Sequence, residues 1–416
     1  MTLFCNQIFH NKKKYIIVDT KILPINTEVQ WIGVLDKDIR IFDIVMETKY
    51  GTTYNSYFIN ADKKAVVEVV KEKFFPVFEA KLRQLCNPKE LAYIFINHTE
   101  PDHSGGLRKL LEIAPHAIVV ASNSAIMNLK EQLNTPFQYV IANDGDVTDL
   151  GNKKITAISA PSLHWPDSIY SYLQEDKILF TCDSFGAHFC HDEMYNDKTG
   201  NYDDAFQYYF DVILKPFSKF YLKAIDKIST LQIDAICTGH GPLLRKDPMK
   251  IVGKTKKLCE DYLESYPEKK RILIAFVSAY GYTKVIAEKL KEGAEKVPGI
   301  TIDFCDIEKM DLATLGEKIA KADAYLLGSP TINQNMLPQL FNLFALMTPL
   351  RDRGKPAAAF GAYGWSGEAK QNLISNIDNL KLKRYCDSMF VKFLPSKTEE
   401  ETIVMFGETF AKTIKM

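Results

Sequence analysis

Between Leu91 and His240, four apolar runs of strand length each lead into a loop that carries imidazole or carboxylate groups, and this repeated pattern is the strongest constraint on the fold. Leu91–Ile96 runs into Asn97-His98-Thr99-Glu100-Pro101-Asp102-His103-Ser104-Gly105-Gly106. Lys154–Ala160 leads to His164, Ile178–Cys182 to Asp183, and Ile233–Gly239 to His240. Short apolar runs bounded by turn formers read as buried strands. Strand ends are rigid enough to aim side chains and open enough to admit a substrate. Any one of these histidines alone reads more simply as a packed core or surface residue. The set His98, Glu100, Asp102, His103, His164, Asp183 and His240 does not, because each member has the same strand-then-loop setting and together they suffice for two metal ions. Pro101 and the Gly105–Gly106 pair argue against a helix in the first loop, with the glycines turning the chain sharply into a helical segment over Leu107–Glu112. Upstream, Trp31–Val70 reads as several short strands, with Tyr54-Asn55-Ser56-Tyr57 at a turn, supplying sheet rather than ligands.

A charged stretch, Lys254–Lys270, has apolar residues at helical spacing and ends at Pro267, so it reads as a surface helix plus linker. It marks a change of character, with one domain expected over 1–255 and a second over 268–416. The second opens on the continuous apolar run Arg271–Val277, as a central parallel strand does. Next come Ser278-Ala279-Tyr280-Gly281-Tyr282-Thr283 and a helical pattern over Lys284–Val297. Strand, hydroxyl-and-glycine loop, then helix makes a phosphate cradle, because loop amides and the helix N-terminus both favour an anion. The loop has neither the Gly-x-Gly-x-x-Gly of dinucleotide folds nor the Gly-Lys-Ser/Thr of nucleotide-triphosphate loops. Two more strand-end loops follow, one with Ser329, Pro330, Thr331, Ile332 and Asn333, the other with Ala362, Tyr363, Gly364, Trp365, Ser366 and Gly367.

The metal pattern resembles the flavodiiron proteins: His-x-Glu-x-Asp-His, a later His, an Asp at a strand end, then Thr-Gly-His-Gly-Pro. Their catalytic domain has the metallo-β-lactamase fold. The three later loops resemble those that bind flavin in flavodoxin, where ligands lie at the carboxyl ends of a parallel sheet. The implied architecture is α/β throughout, an N-terminal metallo-β-lactamase-like αββα sandwich followed by a flavodoxin-like doubly wound parallel sheet. Hydrolases of the first fold usually carry His where this chain has Glu100. A carboxylate there makes the site harder and more anionic, which suits iron better than zinc. The resemblance implies that His98, Glu100 and His164 bind one iron, that Asp102, His103 and His240 bind the other, and that Asp183 bridges them. Three carboxylates against two divalent ions leave a single positive charge, which a bridging hydroxide would cancel, so the pair would then be cheap to bury. FMN would put its phosphate in the first of the three loops and its ring under Tyr363 or Trp365. Tyr280 departs from flavodoxin, where a small hydroxyl residue is common.

Composition sets bounds on function. The 416 residues suggest roughly two or three domains. Lys plus Arg and Asp plus Glu balance at 52 each, which offers no basic surface for nucleic acid. No apolar stretch approaches the ~20 residues of a membrane span, and the start, Met1–Asn6, lacks the pattern of a signal peptide. The eight cysteines include no Cys-x-x-Cys, which excludes an internal rubredoxin module or zinc ribbon and fits reduced thiols in the cytoplasm. Cys182 and Cys237, on strands beside ligands, read as packing residues. His10, His116, His188 and His191 read as ordinary histidines, except that His188 or His191, close after Asp183, could face the pocket as a proton donor.

The resemblance implies an oxidoreductase that reduces dioxygen to water, nitric oxide to nitrous oxide, or both. A ferrous pair and a reduced flavin hold the four electrons that dioxygen needs. The chain ends near Met416 without an appended electron-transfer module, so a separate donor, rubredoxin-like or a reductase, is expected. A head-to-tail homodimer, or a dimer of dimers, is implied as the way flavin and irons meet. Two other readings stay open: a zinc metallohydrolase fused to a flavin domain, and a flavin electron carrier whose first domain is scaffold.

Overall fold

The computed structural model describes residues 21–43, 46–264, 270–385 and 388–415. Met1–Asn6, Cys5, His10, Pro267, Cys386 and Met416 lie outside them. Two compact units divide the chain, Met1–Leu263 and Glu264–Met416.

The first unit stacks two sheets. One has seven strands in the order Leu23–Pro24, Val29–Trp31, Tyr57–Ile59, Lys64–Val67, Leu91–Phe95, Ile118–Ala121 and Tyr139–Ile141. The other orders Val147–Asp149, Lys154–Ser159, Ile169–Leu173, Ile178–Cys182 and Ala235–Thr238. Alternation of side chains builds the layers, since neighbouring strand residues face opposite ways. Phe180 and Cys237 join Tyr57, Val67 and Phe95 in the core between the sheets. Leu179 and Ile236 face outward against Tyr221, Ile225 and Cys259 of the helices Ser218–Ile228 and Pro248–Glu264. On the other outer face, Ile94 and Val119 pack against Phe78, Leu82 and Leu129 of the helices Phe75–Leu85 and Asn123–Leu133. The result is the αββα sandwich expected. Thr52–Tyr54 and Tyr57–Ile59 are separated by Asn55 and Ser56, which form no turn: the first strand pairs with Val34–Asp36 and the second lies in the seven-stranded sheet, so the chain crosses between sheets there instead of reversing.

Another local expectation fails. Pro101–Ser104 is a single helical turn, not an irregular loop. Proline is tolerated at the first helical position, where its missing N–H has no partner to lose, so Pro101 starts the turn rather than preventing it. Gly105 and Gly106 also sit in ordinary right-handed backbone, with φ of −62° and −77°. Their value is space: a Cβ on Gly106 would meet Val69 Cγ1 at 2.8 Å and the Val70 carbonyl at 3.0 Å.

The second unit is a parallel sheet in the order Ile300–Asp306, Lys270–Phe276, Ala324–Gly328, Pro356–Tyr363, with Lys383–Arg384 and Met389–Lys392 both pairing with the last of these. This is the doubly wound order of flavodoxin. Leu273, Tyr325 and Ala359 contribute to one face, covered by the helices Leu312–Lys321, Pro338–Ala345 and Ala369–Asn379. Ile272, Leu326 and Phe360 contribute to the other, covered by Tyr282–Glu295 and Lys397–Lys415. Those two helices touch backbone to backbone because Gly293 faces the Val404 carbonyl and Gly407 faces that of Leu290.

Candidate functional site

All seven candidate ligands converge at the ends of the two sheets of the first unit. His98 and Glu100 follow Leu91–Phe95, Asp102 and His103 lie on the Pro101–Ser104 turn, and His164, Asp183 and His240 come from three loops of the second sheet. Asp183 is the hub. Its Oδ2 lies 3.0 Å from His164 Nε2 and 3.5 Å from His98 Nε2, while its Oδ1 lies 3.1 Å from His103 Nε2 and 3.6 Å from His240 Nε2. Glu100 Oε2 completes the first group, 3.0 Å from His164 Nε2 and 3.4 Å from His98 Nε2. Asp102 Oδ2 completes the second, 3.1 Å from His240 Nε2 and 3.5 Å from His103 Nε2. The cluster is sealed except at one edge, where the side chains of His164 and Glu100 are 23% and 14% exposed.

The carboxylates of this cluster draw positive charge to the imidazoles around them. Burial opposes ionisation of Asp183, yet His98, His103 and His164 hold its carboxyl well below the usual range. Burial likewise works against charge on His103 and His164, but the carboxylates win, Asp102 and Asp183 lifting His103 to about 9 and Asp183 and Glu100 lifting His164 to about 10. Both Asp102 oxygens, both His103 nitrogens and Asp183 Oδ1 are buried without a hydrogen-bond partner. Buried polar groups are rarely left so unless something else satisfies them, and inward-facing carboxylates mixed with imidazoles suit a first-row transition-metal ion such as iron.

Several supporting residues carry no sequence signal of their own. Asn97 pins the first loop: its amide donates to Glu68 Oε1 at 2.8 Å, its side chain donates to the Phe180 carbonyl at 3.1 Å, and its Oδ1 accepts from Ser171 at 2.7 Å. Asp167 accepts from the Thr99 amide at 3.1 Å and its hydroxyl at 2.6 Å. Gly239 is needed for space, since a Cβ there would meet His103 Cε1 at 2.7 Å. Cys237 packs in the core as expected, but Cys182 does more, its Sγ lying 2.8 Å from His98 Nδ1. His188 reaches the centre from behind. It packs against His240 with ring centroids 5.1 Å apart and pairs with Thr52 Oγ1 at 2.8 Å. Burial and then the charge of His240 push its imidazole down to about 3, so it is neutral. His191 instead accepts from the Glu193 amide at 3.1 Å.

In the second unit, a cavity of about 490 Å³ is lined by all three loops that the sequence singled out. Ser278, Tyr280, Tyr282 and Thr283 come from the first, Pro330, Thr331, Ile332 and Asn333 from the second, and Ala362, Tyr363, Gly364, Trp365 and Ser366 from the third. Three named residues do not line it. Gly281 caps the helix Tyr282–Glu295 at φ 86°. Ser329 turns its hydroxyl to the Leu337 amide at 2.9 Å, and Gly367 sits beside the Tyr363 ring. Ala279, Lys392 and Phe393 line it as well. Lys392 ends a four-residue strand too short to read from sequence, Met389–Lys392, and Phe393 follows it. Each loop contributes one buried hydroxyl without a hydrogen-bond partner, Thr283, Thr331 and Ser366. Three orphaned donors around an open cavity with exposed aromatic rings, Tyr280 and Trp365 being 82% and 92% exposed, fit a flat ligand with a phosphate tail.

A sandwich with a carboxylate-rich dinuclear cluster, in one chain with a flavodoxin-like unit, defines a two-part redox flavoprotein. Comparison with known proteins agrees. The model of the ODP family beta lactamase matches residues 52–241, and that of flavodoxin matches 274–407. The chain is 38% identical over 398 residues to the flavo-diiron protein FprA2 of Clostridium acetobutylicum, covering 94% of this chain and 99% of that one. It is 34% identical to a nitric oxide reductase of Moorella thermoacetica, covering 94% and 98%. The crystal structure of the flavodiiron protein from Giardia intestinalis superposes with a TM-score of 0.62 at 27% identity, covering 95% and 97%. The chain belongs to the flavodiiron protein family. It is an oxidoreductase whose cofactors are FMN and a non-haem diiron centre. No helix among the described residues is long and apolar enough to cross a membrane.

Proposed function

We propose that this chain reduces dioxygen to water, nitric oxide to nitrous oxide, or both, with electrons passed through FMN from an external protein donor. The observation that carries this reading is the division of Asp183 between two matched sets of donors. His98, Glu100 and His164 would hold one iron, Asp102, His103 and His240 the other, and Asp183 would serve both. The residues over 1–255 form the diiron domain and those over 268–416 the FMN domain. Bound in these places, the irons and the flavin supply the electrons that a diatomic gas takes up.

The protein's own residues set the conditions. His164 and Glu100 form the one solvent-reached edge of the cluster, so a small neutral gas enters there. The buried side chains of His98, His103 and Asp183 keep bulk water from the opposite side. Thr283, Thr331 and Ser366 would donate to FMN, the first at the N-terminus of the helix Tyr282–Glu295, where a phosphate is favoured. The donor is a rubredoxin-like protein or a reductase, and a head-to-tail homodimer brings the flavin of one copy to the irons of its partner. The six described cysteines are all free thiols, which supports a cytoplasmic site of action.

The test is anaerobic reduction of the purified holoprotein followed by separate pulses of dioxygen and nitric oxide. Rapid consumption of at least one gas, abolished in Asp183→Asn, is the expected result. Consumption of neither gas by protein that holds both cofactors would overturn the reading.

A further inference from the structure

The two donor sets are matched in number, each with two imidazoles and one carboxylate, and beyond the Glu100 edge that solvent reaches, the groups standing behind the ligands set the halves apart. Behind His240 stands a backbone carbonyl, since its Nδ1 pairs with the oxygen of Thr53. Behind His98 stands sulfur. Cys182 Sγ is 2.8 Å from His98 Nδ1, while Nε2 of the same ring faces Glu100 Oε2 at 3.4 Å and Asp183 Oδ2 at 3.5 Å. Both residues are buried.

An imidazole offers the Nε2 lone pair to a cation only when its proton sits on Nδ1. At Nδ1 of His98 the group in position to accept that proton's hydrogen bond is the thiol sulfur, a weak acceptor. The backbone is shaped to put it there. Strand register shifts between Phe180 and Cys182, and Cys182 itself has φ of 47°, a conformation that residues with side chains seldom adopt. Bulges of this kind re-aim side chains next to active sites. Independently, the buried Asp102, His103 and Asp183 atoms without hydrogen-bond partners on the far side of the His98 ring fit a group that ligates a metal ion.

We propose that Cys182 is a positioning residue of the diiron centre. Its sulfur accepts the Nδ1–H of His98, fixes the tautomer that leaves Nε2 free for iron, and makes His98 a weaker donor than His240, whose proton goes to a carbonyl. The two halves are thereby unequal despite matched ligands. This rests on the reading of the seven residues as ligands.

The test loads iron-57 into the full-length wild type, Cys182→Ala and Cys182→Ser, and follows iron affinity and the Mössbauer spectrum. In the wild type, two irons giving two distinguishable doublets are expected. In the alanine variant, affinity for one iron falls about 10–100-fold and one doublet alone shifts. The serine variant, which restores an acceptor, recovers the lost affinity with that same doublet displaced. If the alanine variant melts early, the serine variant decides, a displaced single doublet supporting the proposal. Unchanged affinity and spectra in the folded variants would overturn it, as would an iron–sulfur shell in the wild-type X-ray absorption spectrum, which would put sulfur on the metal. A wild type that takes up no iron pair overturns the ligand reading itself, so the two failures are distinguishable.

Discussion

Asp183 Oδ1 lies 3.1 Å from His103 Nε2, although Asp183 follows a strand of one sheet and His103 sits on a helical turn beyond the other. The contact joins the sheets at their ends, and the opposite oxygen of the same carboxylate reaches His164 at 3.0 Å. A single side chain therefore ties the two halves of the metal cluster together.

Removing one charge from that hub is the most economical perturbation. Asp183→Asn keeps the shape but turns one oxygen into a hydrogen-bond donor facing imidazoles. Iron content is expected to fall to less than half of the wild-type value, with FMN content unchanged. Metal analysis and flavin absorbance on the same sample check both statements.

Gly239→Ala tests the packing around the same cluster. A Cβ would sit 2.7 Å from His103 Cε1, 3.0 Å from the Cys182 carbonyl carbon and 3.1 Å from Asp183 Oδ1. Overpacking of this kind costs about 1–3 kcal/mol. Thermal unfolding should move down by several degrees and iron retention should weaken. Wild-type behaviour in both would mean that the loop has slack the structure does not show.

In the flavin unit, Thr283→Val keeps the side-chain volume and deletes the orphaned hydroxyl at the helix N-terminus. A hydrogen bond to a charged group contributes about 1.5–3 kcal/mol. FMN affinity is expected to drop at least roughly ten-fold, measured by fluorescence titration of the flavin-free protein, while iron content stays at the wild-type level.

How far the sequence foretold this site depends on the kind of signal each residue carries. The seven candidate ligands were legible because imidazoles and carboxylates recur after apolar runs, and Glu100 pointed toward iron over zinc. The turn holding Asp102 and His103 was misread, since Pro101 breaks helices inside but starts them at the first position. Lys392 and Phe393 were invisible because Met389–Lys392 is too short to show a period. The contact of Cys182 with His98 depends on a register shift and a left-handed residue, neither of which leaves a mark in composition.

Acid stability has a local source in the second unit. The buried Asp352 pairs with Arg351 at 2.6 Å and Lys355 at 2.9 Å and accepts from Tyr325 at 2.8 Å. Burial opposes its charge, but Arg351 and Lys355 prevail and its carboxyl stays below the usual range. The Lys355 ammonium is also lowered, because burial outweighs the attraction of Asp352. A carboxyl depressed in the folded state stabilises above its unfolded value, near pH 4, and that contribution is lost as pH falls through the folded value. Asp352→Asn should flatten the decline of stability below about pH 4, as read from denaturant midpoints at stepped pH. An unchanged slope would place the acid sensitivity elsewhere.

The central claim is that seven side chains from distant parts of the chain hold a pair of irons. Metal analysis of anaerobically purified protein, combined with iron-57 Mössbauer spectroscopy, tests it most directly. A pair of magnetically coupled irons per chain alongside one FMN is the expected result. Zinc in place of iron, or a single mononuclear site, would contradict it.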